Sequence, residues 1–198
     1  MRQLPTCWDD FVEITGRILQ APRGHRWTWQ GVRFLALGGA CSIDRLYGKL
    51  DSGRWGWFKE EVITAQEATQ VIAGGPGYVL LTHDAPTASL PQATEYAPVN
   101  FLPSVQQSAR RVREVAEASK PKLLLHGHWQ QFHQVRLTGQ DTEVVRLSTD
   151  GTRRSWLVVD LPGLEVTYQP QRQRGHAAAA RQVHLHCPTG SGPRCAAR

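Results

Sequence analysis

Two stretches decide how this chain folds: Tyr78-Val79-Leu80-Leu81-Thr82-His83-Asp84-Ala85-Pro86 and Leu123-Leu124-Leu125-His126-Gly127-His128-Trp129. Each opens on an almost wholly apolar run too short for a helix, the pattern of a strand covered on both faces. Between them Val105, Ala109, Val112, Val115 and Ala116 recur at helical spacing and define one apolar face. Ser104, with Gln107 three residues on, reads as the capping box that starts this helix, and Lys120-Pro121 ends it. Strand, loop, helix, strand predicts a parallel pair joined by a right-handed crossover, with both strand C-termini at one edge of a sheet. Ligands of open α/β sheets gather at that edge. His83 and His128 fall just past the two strand ends, and a neutral imidazole is a good ligand for zinc, manganese or iron. The plainer reading of each, a capped or partly buried histidine, stands beside it.

Working outward, Val32-Arg33-Phe34-Leu35-Ala36-Leu37 reads as a strand closed by Gly38-Gly39. Thr64-Ala65-Gln66-Glu67 is a second capping box, opening a shorter helix that Gly74-Gly75-Pro76-Gly77 stops. Phe11-Val12-Glu13-Ile14 is a short strand in a mixed first 30 residues broken by Pro5, Pro22 and Gly24. Residues 84–100 form a loop containing Pro86, Pro91 and Pro98. Runs from His133 to Leu137, Glu143 to Leu147, Trp156 to Asp160 and Leu164 to Tyr168, joined by short turns, predict an antiparallel meander. From residue 169 apolar periodicity stops, which predicts a disordered tail. The expected organisation is one α/β domain over 1–168 and a basic tail over 169–198.

A chain of 198 residues is long enough for one domain with a real core. The formal charge of +6 invites a nucleic-acid reading. However, no acidic residue follows Glu165, and Arg172, Arg174, Arg181, Arg194 and Arg198 supply five of those charges. The body is therefore nearly neutral, and nucleic-acid contact, if any, runs through phosphates touched by the tail. Cys7, Cys41, Cys187 and Cys195 show no metal-type or disulfide-scaffold spacing and read as reduced thiols. No secretory signal and no apolar run of membrane-spanning length is visible, so a cytoplasmic protein without membrane insertion is expected. The seven Trp read first as core packing.

Four segments taken together carry a resemblance. Leu37-Gly38-Gly39-Ala40-Cys41-Ser42-Ile43-Asp44-Arg45, Trp57-Phe58-Lys59-Glu60-Glu61, Leu81-Thr82-His83-Asp84-Ala85-Pro86 and His126-Gly127-His128 resemble, in order, the second half of a calcineurin-like metallophosphoesterase of the small bacterial and phage type. The resemblance spans residues 20–165. It implies a partial four-layer αββα sandwich that binds divalent metal (manganese, iron or zinc) and hydrolyses a phosphomonoester or phosphodiester with a metal-bridging hydroxide. By the same resemblance His83 and His128 are ligands of the second metal, and Gln130 stands where the second histidine of a "GHxH" motif would bind the first. The "DxH", "GDxxD" and "GNH" motifs that supply the remaining ligands and the catalytic histidine are absent. His25, the only histidine before His83, has a Gly24-His25-Arg26 context instead.

A catalytic metal usually takes about three protein ligands plus water. The expectation is therefore a chain that lacks the N-terminal half of the domain, has a deficient metal complement, carries no assignable catalytic residue, and is impaired or inactive. Asp84 could hold an imidazole ring as a hydrogen-bond acceptor. His126 is either an extra donor or strand-end packing. Asp44 and Arg45 either shape the site or make a turn, and Trp55 and Trp57 either touch substrate or pack. His184 and His186 near Cys187 could chelate a metal adventitiously. The alternative class is a non-catalytic protein that binds a partner or nucleic acid.

Overall fold

The computed structural model describes residues 6–7, 10–16, 18–42, 58–91, 101–161 and 163–168. In chain order the strands are β1 (Thr6–Cys7), β2 (Phe11–Thr15), β3 (Ile18–Gln20), β4 (Arg26–Trp29), β5 (Val32–Leu37), β6 (Val79–Thr82), β7 (Leu123–His126), β8 (His133–Arg136), β9 (Glu143–Arg146), β10 (Leu157–Asp160) and β11 (Glu165–Tyr168). The helices are α1 (Ala65–Ala73) and α2 (Leu102–Ser119), with 3-10 turns at Lys59–Glu61 and Thr87–Ser89. The architecture is mixed α/β. Six strands form one sheet in the order β4-β5-β6-β7-β9-β8. Its four central strands run parallel, and β4 and β8 close the edges antiparallel. The strands β1-β2-β3 form a small antiparallel sheet and β10-β11 an antiparallel ribbon.

The two apolar runs lie side by side in register, Val79 opposite Leu123 and Leu80 opposite Leu124. Alternation then sends successive side chains to opposite faces. Leu35, Leu37, Leu80, Leu124 and Val144 turn to one face and pack with Ala68 and Val71 of α1 and Val112, Val115 and Ala116 of α2. Trp27, Phe34, Ala36 and Val79 turn to the other, where Phe11 of β2 and the partly buried Leu161 and Leu164 meet them. Fully burying one such aliphatic side chain is worth roughly 1.5–3 kcal/mol. The continuous apolar runs of β6 and β7 reflect this burial on both faces.

Local signals set most boundaries. Thr64 caps α1 as its capping box predicts: its hydroxyl accepts from the Glu67 N–H at 3.2 Å, and the Glu67 carboxylate accepts from the Thr64 N–H at 2.8 Å. The start of α2 differs from expectation. Phe101 is its N-cap, and Pro103 sits in the first turn, where a missing N–H costs nothing. Ser104 therefore lies inside that turn. The expected meander is also corrected. Strand β9 inserts between β7 and β8 and pairs parallel with β7, while β10 and β11 leave the sheet for their own ribbon. Strand β4 was not expected. It forms a hairpin with β5 across Gln30-Gly31, both left-handed at φ 47° and 79°. Among the described residues no helix is long and apolar enough to cross a membrane. The tail over 169–198 and Asp44, Arg45, Trp55, Trp57, His184 and His186 lie outside the described residues.

Candidate functional site

Because β5, β6 and β7 are parallel neighbours, the segments that follow them leave the sheet at one edge. Residues Gly39, Ala40 and Ser42 after β5, His83 after β6, and His128 and Gln130 after β7 line one open groove of about 550 Å³ together with Glu61. The His83 and His128 ring centroids are 4.9 Å apart and inclined at 63°. The predicted pair is thus brought together. His128 (φ 64°) and Gln130 (φ 55°) both hold left-handed backbone, a conformation that costs a non-glycine residue on the order of 1 kcal/mol or more. The Trp129 N–H closes a tight turn around His128 onto the Gly127 carbonyl at 2.8 Å.

Protonation follows from the partners. His128 Nε2 lies 3.3 Å from the Cys41 carbonyl. A carbonyl can only accept, so Nε2 is the donor in this contact. The covered part of the His83 ring and then the neighbouring His128 hold the His83 pKa below its ordinary value, against smaller opposing effects of Asp84 and Glu61. His83 is consequently neutral at pH 7, the form that can bind a metal.

The other sequence-predicted residues serve differently. Asp84 is fully buried. Its Oδ1 accepts from the Ala85 N–H at 2.8 Å and the Trp129 indole N–H at 3.0 Å. Its Oδ2 accepts from the Cys41 N–H at 3.2 Å and the Ser108 hydroxyl at 2.5 Å. Four donors occupy the carboxylate, and it holds an indole in place of an imidazole. His126, the last residue of β7, is also buried. Its Nδ1 faces the Gly127 carbonyl at 3.2 Å and its Nε2 the Ser89 hydroxyl at 2.9 Å. Nδ1 therefore carries the proton and Nε2 accepts from Ser89, so neither nitrogen is spare. Burial, the largest cause, pushes its pKa down to about 4.

Glu61 is the acidic side chain in the groove, a position to which the sequence alone assigns no role. Its segment is fixed by the Ala40 N–H, which donates to the Glu61 carbonyl at 2.9 Å, and by Arg23. The Arg23 guanidinium donates to the Glu60 carbonyl at 2.9 Å, the Val62 carbonyl at 3.3 Å and the Glu67 carboxylate. Gly39 (φ 108°) lies against this clamp: a Cβ there would come within 2.5 Å of the Glu61 carbonyl. The acidic residue adjoining the predicted histidine pair is thus set by a glycine and an arginine distant in sequence.

Among the described residues the donor set does not fit a two-metal centre. Among the described residues no three His, Cys, Asp or Glu side chains group closely enough to hold a metal ion. Two imidazoles are presented, one with Nε2 turned to a carbonyl, and Gln130 supplies only a neutral amide. No protein-family model and no curated protein matches the chain.

Proposed function

We propose that the chain has a calcineurin-like metallophosphoesterase fold, a partial four-layer αββα sandwich. In this reading the His83–His128 groove holds at most one divalent ion, and the chain turns over phosphoesters little or not at all. One observation carries it: the four segments behind the resemblance, far apart in sequence, contribute Gly39, Ala40 and Ser42, Glu61, His83, and His128 to the walls of a single groove. The edge beyond the C-terminal ends of parallel strands is where ligands of open α/β sheets gather. Left-handed backbone at His128 and Gln130 places strain beside the groove, which is compatible with a functional site there.

Loss of activity follows from the donor set. Two-metal hydrolysis needs carboxylate and imidazole donors enough to hold two cations a few ångströms apart. The 198 residues contain no "DxH", "GDxxD" or "GNH" motif. The test is turnover of a generic aryl phosphodiester by the purified chain with manganese. No measurable hydrolysis is expected; metal-dependent hydrolysis that His128→Ala abolishes would overturn the proposal.

A further inference from the structure

We propose that Asp84 is a positioning residue for the groove, fixing the distance and tilt of the His83–His128 pair from beneath it. This rests on the groove being the functional site. A buried carboxylate is costly unless hydrogen bonds replace its water. Among the described residues no cation forms an ion pair with Asp84, and its four partners are neutral donors. Those donors come from the segments after all three parallel strands that open on the groove, Cys41 after β5, Ala85 after β6 and Trp129 after β7, and from Ser108 within α2.

Two routes lead from the carboxylate to His128. The first passes through Cys41, whose N–H donates to Asp84 Oδ2 while its carbonyl accepts from His128 Nε2. The second passes through Trp129, whose N–H donates to Asp84 Oδ1 while its ring meets the His128 ring edge-on, centroids 5.2 Å apart. Trp129 also packs against the cluster of Cys41, Phe101 and Val105. On the other side, Asp84 follows His83 directly in the chain, and the Thr82 hydroxyl pins its carbonyl at 2.7 Å. Asp84 thereby ties both imidazoles to one residue, His128 through its carboxylate and His83 through its backbone.

The arrangement makes Asp84→Asn informative. An amide NH2 at the Oδ1 position would confront two N–H groups that cannot reverse, those of Ala85 and Trp129. At the Oδ2 position it would confront the Cys41 N–H alone, because the Ser108 hydroxyl can turn to accept. The amide therefore settles with NH2 toward Cys41 and releases the first route. Trp129→Phe releases the second while keeping an aromatic ring in the apolar cluster.

The readout is the nuclear Overhauser cross-peak between the His83 and His128 ring protons in metal-free protein, with a thermal melt as the check on folding. Wild type is expected to show the cross-peak. Trp129→Phe is expected to melt cooperatively and lose at least half of its intensity, and Asp84→Asn to lose more. If Asp84→Asn does not fold, Trp129→Phe alone decides. Wild-type cross-peak intensity in Trp129→Phe and in any folded Asp84→Asn would overturn the proposal, as would its absence from wild type. Zinc titration of the wild type is a separate arm: an intact cross-peak without zinc binding would refute the metal reading and leave the positioning role standing.

Discussion

Ser89 donates its hydroxyl to Nε2 of His126 across 2.9 Å in the protein interior, with both residues at most 2% exposed. The opposite ring nitrogen faces the Gly127 carbonyl, and Arg146 donates to the Ser89 carbonyl. Protonating His126 would turn the Ser89 hydroxyl from donor to acceptor and place a buried charge near the Arg146 guanidinium.

Stability should therefore fall on acidification. With a folded pKa of about 4 against an ordinary 6.5, the unfolded chain binds the extra proton first. The contribution of His126 is complete above about pH 6.5 and is lost as pH falls through about 4. On the order of 3 kcal/mol is at stake. His83 and His133, also shifted down chiefly by burial, act in the same direction. Urea denaturation of wild type should show this loss, and His126→Gln, less stable at neutral pH, should show a shallower one. An equal slope in both proteins would refute the assignment.

Gly39→Ala should disturb the groove wall. The added methyl meets the Glu61 carbonyl at 2.5 Å and the Arg23 guanidinium at 2.6 Å, at a backbone φ of 108° that resists a side chain. A loss of about 1–3 kcal/mol is expected in chemical denaturation. The same substitution at Gly31, a left-handed position with open space around it, should cost less.

Arg26→Ala should loosen the end of α1. Its guanidinium crosses from β4 to donate to the Val71 carbonyl at 2.6 Å, the Gly75 carbonyl at 2.8 Å and the Gly24 carbonyl at 2.9 Å. Carbonyls at a helix C-terminus lack helical partners, and a cation there also favours the helix dipole. The expected cost is about 1–3 kcal/mol, with faster amide exchange over the last turn of α1. Unchanged exchange there would contradict the capping role.

The sheet edge was legible because its signals are local. The apolar runs of β6 and β7, the Thr64–Glu67 box and the helical spacing from Val105 to Ala116 each sit within one segment and fix the edge where His83 and His128 meet. Strand β4 was less legible. Its only signals are the short alternation Arg26-Trp27-Thr28-Trp29 and the Gln30-Gly31 turn, and Arg26 is spent on a helix rather than exposed. The swap of β9 with β8 depends on tertiary pairing, which hairpin-like turns do not reveal. At the site, the sequence exposed the histidines but not the destination of Asp84, because a carboxylate beside a candidate ligand looks the same whether it holds imidazole or indole. Glu61 is held at the groove by Ala40 and Arg23, contacts between residues far apart in sequence.

His83 and His128 are proposed to form a partial metal site. The most direct measurement is the metal content of the purified chain after equilibration with excess manganese or zinc and removal of free ion. At most one ion per chain is predicted, reduced to background in both His83→Ala and His128→Ala. Two ions per chain, or one ion retained in both variants, would contradict the account.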